Sequence, residues 1–220
     1  MISDNLESIL SELPSGVKLV AVSKFHPLQS ILEAYAEGQR AFGENRPQEF
    51  AAKAVQLPQD IEWHFIGHLQ TNKLKLVLPY ASLVESIDTV HLLEAVDAWG
   101  EKNGKVTSIL LEVHIGAEQT KQGFAEDEIP SVLDNASAYR FVRFCGLMGM
   151  ASHTEDENAV REDFSRIRAL FESCRKKFPA LTDFNILSIG MSGDWRIAVS
   201  CGSTEVRIGT AIFGGRLPVL

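Results

Sequence analysis

Lys24 stands in VAVSKFHP, at the end of an apolar run made of Val17, Leu19, Val20, Ala21 and Val22. Far along the chain two further segments, SIGMSGDW and VRIGTAIFG, carry Ser192, Gly209 and Thr210. A lysine that ends a buried strand points into a partly desolvated mouth. Desolvation and a nearby cation lower its pKa and free the amine for Schiff-base chemistry with a carbonyl. The other segments suit an anion. Two hydroxyls, a glycine that lets backbone come close, and the free N–H groups of a helix start are phosphate-binding parts. Each motif also has a plainer reading: Lys24 as a solvated strand-end lysine, Ser192 as an N-cap of the helix after it, Gly209 as a turn residue.

Positioning these groups is the task of the elements between them. Leu6, Ile9, Leu10 and Leu13 repeat at helical spacing, and Pro14 with Gly16 end that helix. The strand VKLVAVS follows. Leu28, Ile31, Leu32 and Tyr35 then mark a helix with Pro27 in its first turn and Gly38 closing it. The alternation continues through strands RAFGEN, IEWHFIGH, SLVESID, KVTSILLEVHIG, FVRFCGLMGM, NILSIGM and TEVRIGTAIFG, the last running into a turn. Helices PQEFAAKAVQL, TNKLKLVLPY, TVHLLEAVDAWGEKNG, EDEIPSVLDNASAY, ENAVREDFSRIRALFESCRKKF and DWRIAVSCG separate them, with Pro130 required in a first turn. Strict alternation of strand and helix means a parallel sheet. Eight such units predict a single closed (β/α)8 barrel, for which 220 residues are near the lower end of the usual length. A doubly wound open sheet is the second possibility.

In such a barrel, sites form where strands end. The predicted rim carries Lys24, Glu44-Asn45, Gly67-His68, the loop from Gly116 to Gly123, Met148 to Met150, Met191 to Gly193, and Arg207 to Thr210. Phosphate commonly sits against the loops after strands seven and eight, which is where Ser192 and Gly209-Thr210 fall. An amine on strand one and a phosphate cup on strands seven and eight suggest one ligand with an aldehyde at one end and a phosphate at the other. Pyridoxal 5'-phosphate (PLP) has both.

The motifs VAVSKFHP, AFGENRPQEF, WHFIGHLQTNK, EQTKQGF, GLMGM and LSIGMSGDW...GSTEVRIGTAIFG, from about Val17 to Gly214, resemble the YggS/PROSC family of PLP homeostasis proteins. The resemblance implies a barrel like the N-terminal domain of alanine racemase, a single PLP-binding domain over 1–220 with an extra helix at 1–16 and the barrel over 17–220. It implies that Lys24 holds PLP as an imine, that Ser192, Gly209 and Thr210 hold the phosphate, and that Arg207 faces the pyridine nitrogen. Asn45 and Met148 would lie near the cofactor. His153 receives no role. A guanidinium stays charged and cannot accept a proton, so Arg207 would leave the ring nitrogen unprotonated and disfavour carbanion chemistry. Without the resemblance, an Arg207 ion pair with Glu205 or Asp194 reads equally well.

Racemisation needs a base on each face of the substrate carbon. In alanine racemases a tyrosine from a second domain supplies one. This chain ends six residues past Gly214, and Tyr35, Tyr80 and Tyr139 fall in helices or helix ends. The expected function is therefore reversible PLP binding in intracellular PLP homeostasis, with transfer to PLP-dependent apo-enzymes, no catalytic residue and no strong activity. Two alternatives stay open: a PLP-dependent amino-acid racemase or lyase using water or His68, and a barrel enzyme acting on a phosphorylated sugar through Lys24.

Composition narrows the rest. Hydrophobic residues make up 45% and charged residues 23%, ordinary for a globular protein. A formal net charge of -8 with no basic run argues against nucleic acid and anionic membranes as partners. Three widely spaced cysteines, Cys145, Cys174 and Cys201, suggest neither a disulfide framework nor a zinc site. No secretory signal or membrane-length apolar run is present, so the expected location is cytoplasmic, and a monomer is expected. His64 and His68 are four apart, but on a predicted strand and without HExxH, so no metal is expected. Met148, Met150 and Met191 read as core residues, save for the place the resemblance gives Met148.

Overall fold

Apolar side chains that alternate along short strands, between helices with one apolar stripe, have a ready solution: the strands face a common interior and the helices cover them. The computed structural model describes residues 1–116 and 122–215. In chain order its elements are α1 (Ile2–Glu12), β1 (Lys18–Val22), α2 (Leu28–Ala36), β2 (Ala41–Glu44), α3 (Pro47–Ala54), β3 (Glu62–Phe65), α4 (Leu74–Val77), β4 (Leu83–Ile87) and α5 (Val90–Asn103). They continue as β5 (Thr107–Val113), α6 (Ile129–Asp134), β6 (Val142–Gly149), α7 (Glu157–Lys177), β7 (Ile186–Ser188), α8 (Trp195–Ser200), β8 (Glu205–Ile208) and α9 (Thr210–Phe213). The strands form a closed parallel barrel in the order β1 to β8. Pairing of β1 with β8, from Lys18↔Glu205 to Ala21↔Ile208, closes it and rules out the open sheet.

The outward strand residues Leu19, Phe42, Phe65, Ile109, Leu147 and Val206 pack with Ile31, Phe50, Leu93, Phe164, Ile167 and Phe171 of the helices in one core. One face of α7 forms that core's edge: Val160, Phe164, Ile167 and Phe171 are all buried. Truncating Phe164, which is fully buried, to alanine costs about 3–5 kcal/mol. A second, smaller cluster of Leu83, Leu110, Cys145 and Met148 fills part of the barrel interior. Helix α1 is tied down by Asn5, whose side-chain N–H donates to the Ile212 carbonyl at 2.9 Å, and by Glu12, which accepts two bonds from Arg196 at 2.8 Å each. Pro130 does sit in the first turn of α6. Among the described residues no helix is long and apolar enough to cross a membrane.

The final segment differs from its sequence reading. Strand β8 stops at Ile208, and TAIF is a helical turn, not strand. The Gly209 carbonyl accepts from Ile212 and Phe213 N–H at 2.8 and 2.9 Å, which turns the chain and buries Ile212. Residues 117–121 of the predicted loop from Gly116 to Gly123, and with them most of EQTKQGF, lie outside the described residues, as does the chain from 216 onward.

Candidate functional site

Strand β1 ends at Val22, so Lys24 lies in the turn that follows, half-buried. That turn is held from three sides. Ser23 Oγ donates to Glu44 Oε1 at 2.6 Å, and Phe25 N–H donates to Glu49 Oε1 at 2.8 Å. Lys53 Nζ, from α3, donates to Ser23 O at 2.9 Å and to Glu44 and Glu49 Oε1 at 2.7 Å each. Phe25 has φ +67°, left-handed backbone that costs a side-chain-bearing residue roughly 1–2 kcal/mol. Its ring lies 4.3 Å beneath the Arg46 guanidinium. His26 stacks on Phe213 of α9 at 5.0 Å. The half-turn that carries Lys24 is therefore rigid and strained, and it is joined to the end of β8.

Barrel closure brings the second half of the site to it. A Cβ placed on Gly209 would meet the Val22 carbonyl oxygen at 3.0 Å and Val22 Cβ at 3.2 Å. The turn after β8 thus touches β1 two residues before Lys24. Ser192 Oγ accepts from Gly209 N–H at 3.3 Å and Ala211 N–H at 3.5 Å. This corrects the capping role read for Ser192. The N-cap of α8 is Asp194, and Met191 N–H donates to the Asp194 carboxylate. Helix α8 begins too late for Ser192 to cap it, so the hydroxyl reaches across to the turn after β8. Those two bonds are long, and Thr210 and Ala211 are exposed, so the donors of this turn are within reach of an anion.

Arg207 is 4% exposed and lies inside the barrel. It donates through Nη1 to Ser188 O and Oγ at 2.7 Å each, and through Nη2 to Gly149 O at 3.1 Å. Its nearest carboxylate is Glu85 Oε2 at 3.6 Å, not Glu205 or Asp194. Ser188 Oγ donates to Glu85 Oε2 at 2.6 Å, and His64 Nδ1 lies 2.8 Å from Glu85 Oε1 and 3.7 Å from Glu205 Oε1. Strands β4 and β7 are not neighbours, so the Ser188–Glu85 bond crosses the interior. Burial works against charge on His64, but Glu205 and Glu85 outweigh it and raise the imidazole above its usual value. Burial and then the Glu85 charge push Glu205 up to about 7. Burial also opposes ionisation of Glu85, yet bonding to His64 holds it below the usual carboxylate range. His64, Glu85 and Glu205 offer ligand atoms within 4.8 Å of one another. With Arg207 against Glu85, this donor set already has a cation of its own. Sequence reading missed Glu85 and Glu205, although a carboxylate inside the apolar strand SLVESID was a signal.

The remaining predicted residues divide. Asn45 Oδ1, just past β2, is buried without a hydrogen-bond partner among the described residues. Met148 is 1% exposed in the interior cluster, while Met150 and Met191, read as core, are 43% and 37% exposed at the rim. His68 lies beyond β3, not on it, with Nδ1 3.0 Å from Asp88 Oδ2. The three tyrosines precede β2, β4 and β6, on the face opposite the rim. A cavity of about 700 Å3 opens where β5, β6 and β7 end, lined by Glu112, Met150, Met191 and Asp194 among others. It borders the Ser192 loop without including Lys24 or Arg207 in its walls.

The arrangement fits a PLP-sized group with a phosphate at the Ser192–Gly209 turn and an aldehyde toward Lys24. An orphaned buried amide oxygen, loosely used N–H donors and a glycine with no room for a Cβ all lie on the same rim. Comparison with known proteins bears on the fold and the family. The family described as alanine racemase, N-terminal domain, matches residues 1–217. The pyridoxal phosphate homeostasis protein of Vibrio alginolyticus is 36% identical, with 98% of this chain and 97% of that protein covered. The human pyridoxal phosphate homeostasis protein is 37% identical over 90% of this chain and 76% of its own length. PipY of Synechococcus elongatus, solved with PLP bound, superposes with a TM-score of 0.88 at 34% identity, covering 97% of this chain and all, 100%, of that one. An alanine racemase from Corynebacterium glutamicum shares the fold alone, with a TM-score of 0.73 at 17% identity over 99% of this chain and 61% of its own.

Proposed function

We propose a function from a fixed premise: the chain belongs to the pyridoxal phosphate homeostasis protein family and carries the alanine racemase N-terminal domain. It binds PLP and serves PLP homeostasis. The observation that carries this reading is the contact of Gly209 with Val22, which seats an anion-ready turn beside the Lys24 turn. Lys24 Nζ is the amine that would meet the aldehyde. Ser192, Gly209 and Thr210 would hold the phosphate, Asn45 would meet a polar edge of the ring, and Arg207 would lie toward the pyridine nitrogen. Met148 shapes the floor beneath. When bound, PLP supplies an electrophilic carbon for amines and an electron-withdrawing ring. Arg207, a guanidinium that stays charged, would face that ring nitrogen without protonating it, which would keep the withdrawal weak. The chain's own contribution is to hold the amine, the anion and the ring in one fixed geometry.

The same reading makes residues 1–220 one PLP-binding domain, acting as a monomer in the cytoplasm and delivering PLP to apo-enzymes. The test is an absorbance spectrum of purified wild type beside Lys24→Ala, each before and after borohydride, with peptide mass spectrometry. A visible band in wild type that borohydride removes, with a reduced pyridoxyl mass on the Lys24 peptide and neither in the variant, is the expected result. A wild type that stays colourless after PLP is added refutes the reading. One observation favours a second reading: the His68–Asp88 pair is an oriented imidazole on the rim, the arrangement a racemase or lyase needs for its second proton carrier.

A further inference from the structure

The cavity at the ends of β5, β6 and β7 has acidic walls. Its ionisable lining is Glu112, Glu155, Glu157 and Asp194, with His114 and His153. Among the described residues no lysine or arginine lines it. Acidic walls alone would be a solvated rim, but Glu112 is not solvated. It is 2% exposed, it faces the cavity from β5, and its Oε2 has no hydrogen-bond partner among the described residues. Leaving a buried carboxylate oxygen unpaired is costly. Burial and then the charge of Asp88, at the end of β4, push the Glu112 carboxyl up to about 7. Arg207 from β8, His68 after β3 and the Gln122 side chain pull the other way. The cavity floor therefore holds a carboxyl that is divided between acid and anion near neutrality and whose Oε2 lacks a donor.

A phosphate or carboxylate ligand would meet repulsion from these walls. A ligand bringing N–H donors and positive charge would satisfy the orphaned oxygen and the lining at once. We propose that this cavity binds a small alkylammonium compound, its cationic nitrogen held by Glu112 and its carbon chain by Val113, Ile115, Val160 and Ile197. No covalent bond forms. The ligand stays protonated, as a lysine amine does at neutral pH, and binding sends the Glu112 proton to solvent. The inference goes beyond the cofactor reading, and its test needs no bound cofactor.

The experiment is calorimetric titration with 1,4-diaminobutane, and with neutral 1,4-butanediol, of wild type, Lys24→Ala and Glu112→Gln. The diamine is expected to bind wild type and Lys24→Ala alike and the diol to neither. Affinity should rise about tenfold from pH 6 to pH 8, the ratio of ionised Glu112 at those pH values for a group titrating near 7. Glu112→Gln, checked for folding by circular dichroism, should lose at least tenfold in affinity and lose the pH dependence. Should that variant fold poorly, titration of wild type in buffers of different ionisation heat decides alone, with close to one proton released at pH 6 and almost none at pH 8.5. Equal binding of diol, full affinity in a folded Glu112→Gln, or no proton release overturns the proposal. Binding lost in Lys24→Ala overturns it as well, because the amine would then be reacting at the cofactor and not occupying this cavity.

Discussion

Replacing Lys53 with methionine tests whether the Lys24 turn is held by a buried charge. Lys53 is 8% exposed and Glu44 is fully buried, and they meet at 2.7 Å. Methionine keeps most of the aliphatic length and removes the cation. Glu44 is left a buried carboxylate with one remaining bond, from Ser23. Removing one partner of a buried pair costs about 3–5 kcal/mol. In a chain of this size each 1 kcal/mol lowers Tm by about 2–4 °C, so the drop at pH 8 should be about 6–20 °C. The loss also depends on pH. Burial raises the Glu44 carboxyl, and the Lys53 charge and hydrogen bond restrain that rise. Without Lys53 its pKa climbs further. A carboxyl with a raised folded-state pKa favours folding while protonated, and that benefit fades as pH rises through the raised value. Urea unfolding of Lys53→Met should show a smaller deficit at pH 5.5 than at pH 8. Adding Glu44→Gln, which removes the stranded charge, should recover about 1–2 kcal/mol at pH 8. The Ser23 carbonyl also loses the Lys53 ammonium and keeps only the His26 N–H, at 3.1 Å, so PLP should dissociate faster from Lys53→Met. A deficit under about 1 kcal/mol at pH 8, or an equal deficit at both pH values, would refute the reasoning.

Gly209→Ala forces a Cβ to 3.0 Å from the Val22 oxygen; stability should fall by about 1–3 kcal/mol and PLP binding, followed by fluorescence titration, should weaken. Glu205 is raised to about 7, so its contribution favours folding at low pH and is lost as pH climbs from the usual carboxylate value to about 7; Glu205→Gln should flatten the unfolding free energy across that window. In Glu85→Gln the His64 imidazole, now raised by Glu205 and Glu85 against burial, should titrate lower, read by NMR. Purified protein with L-alanine should form no D-alanine at an enzymatic rate in a chiral assay, and an enzymatic rate would move the His68–Asp88 reading to the front.

Local pattern carried the architecture. Strand-length apolar runs alternating with helical stripes sufficed for the barrel, because each element must bury one face and a parallel alternation closes in few ways. Terminal segments were harder: TAIF has strand-forming residues, and only the end of pairing beyond Ile208 lets Gly209 start a helical turn. The candidate ligands Lys24, Ser192, Arg207, Gly209 and Thr210 were legible because strand ends converge on one rim. Their partners were not. Side-chain contacts such as Lys53 with Ser23, Ser192 with the Gly209 turn, or Ser188 with Glu85 join residues distant in the chain, and sequence carries no record of which side chains meet across a closed barrel. The same holds for Glu112, an unremarkable glutamate in LLEVHIG until burial denies its oxygen a partner. Residue order alone says which groups can face the rim. Which of them are satisfied, strained or left without a partner is settled on folding, because burial and distance are properties of the folded chain.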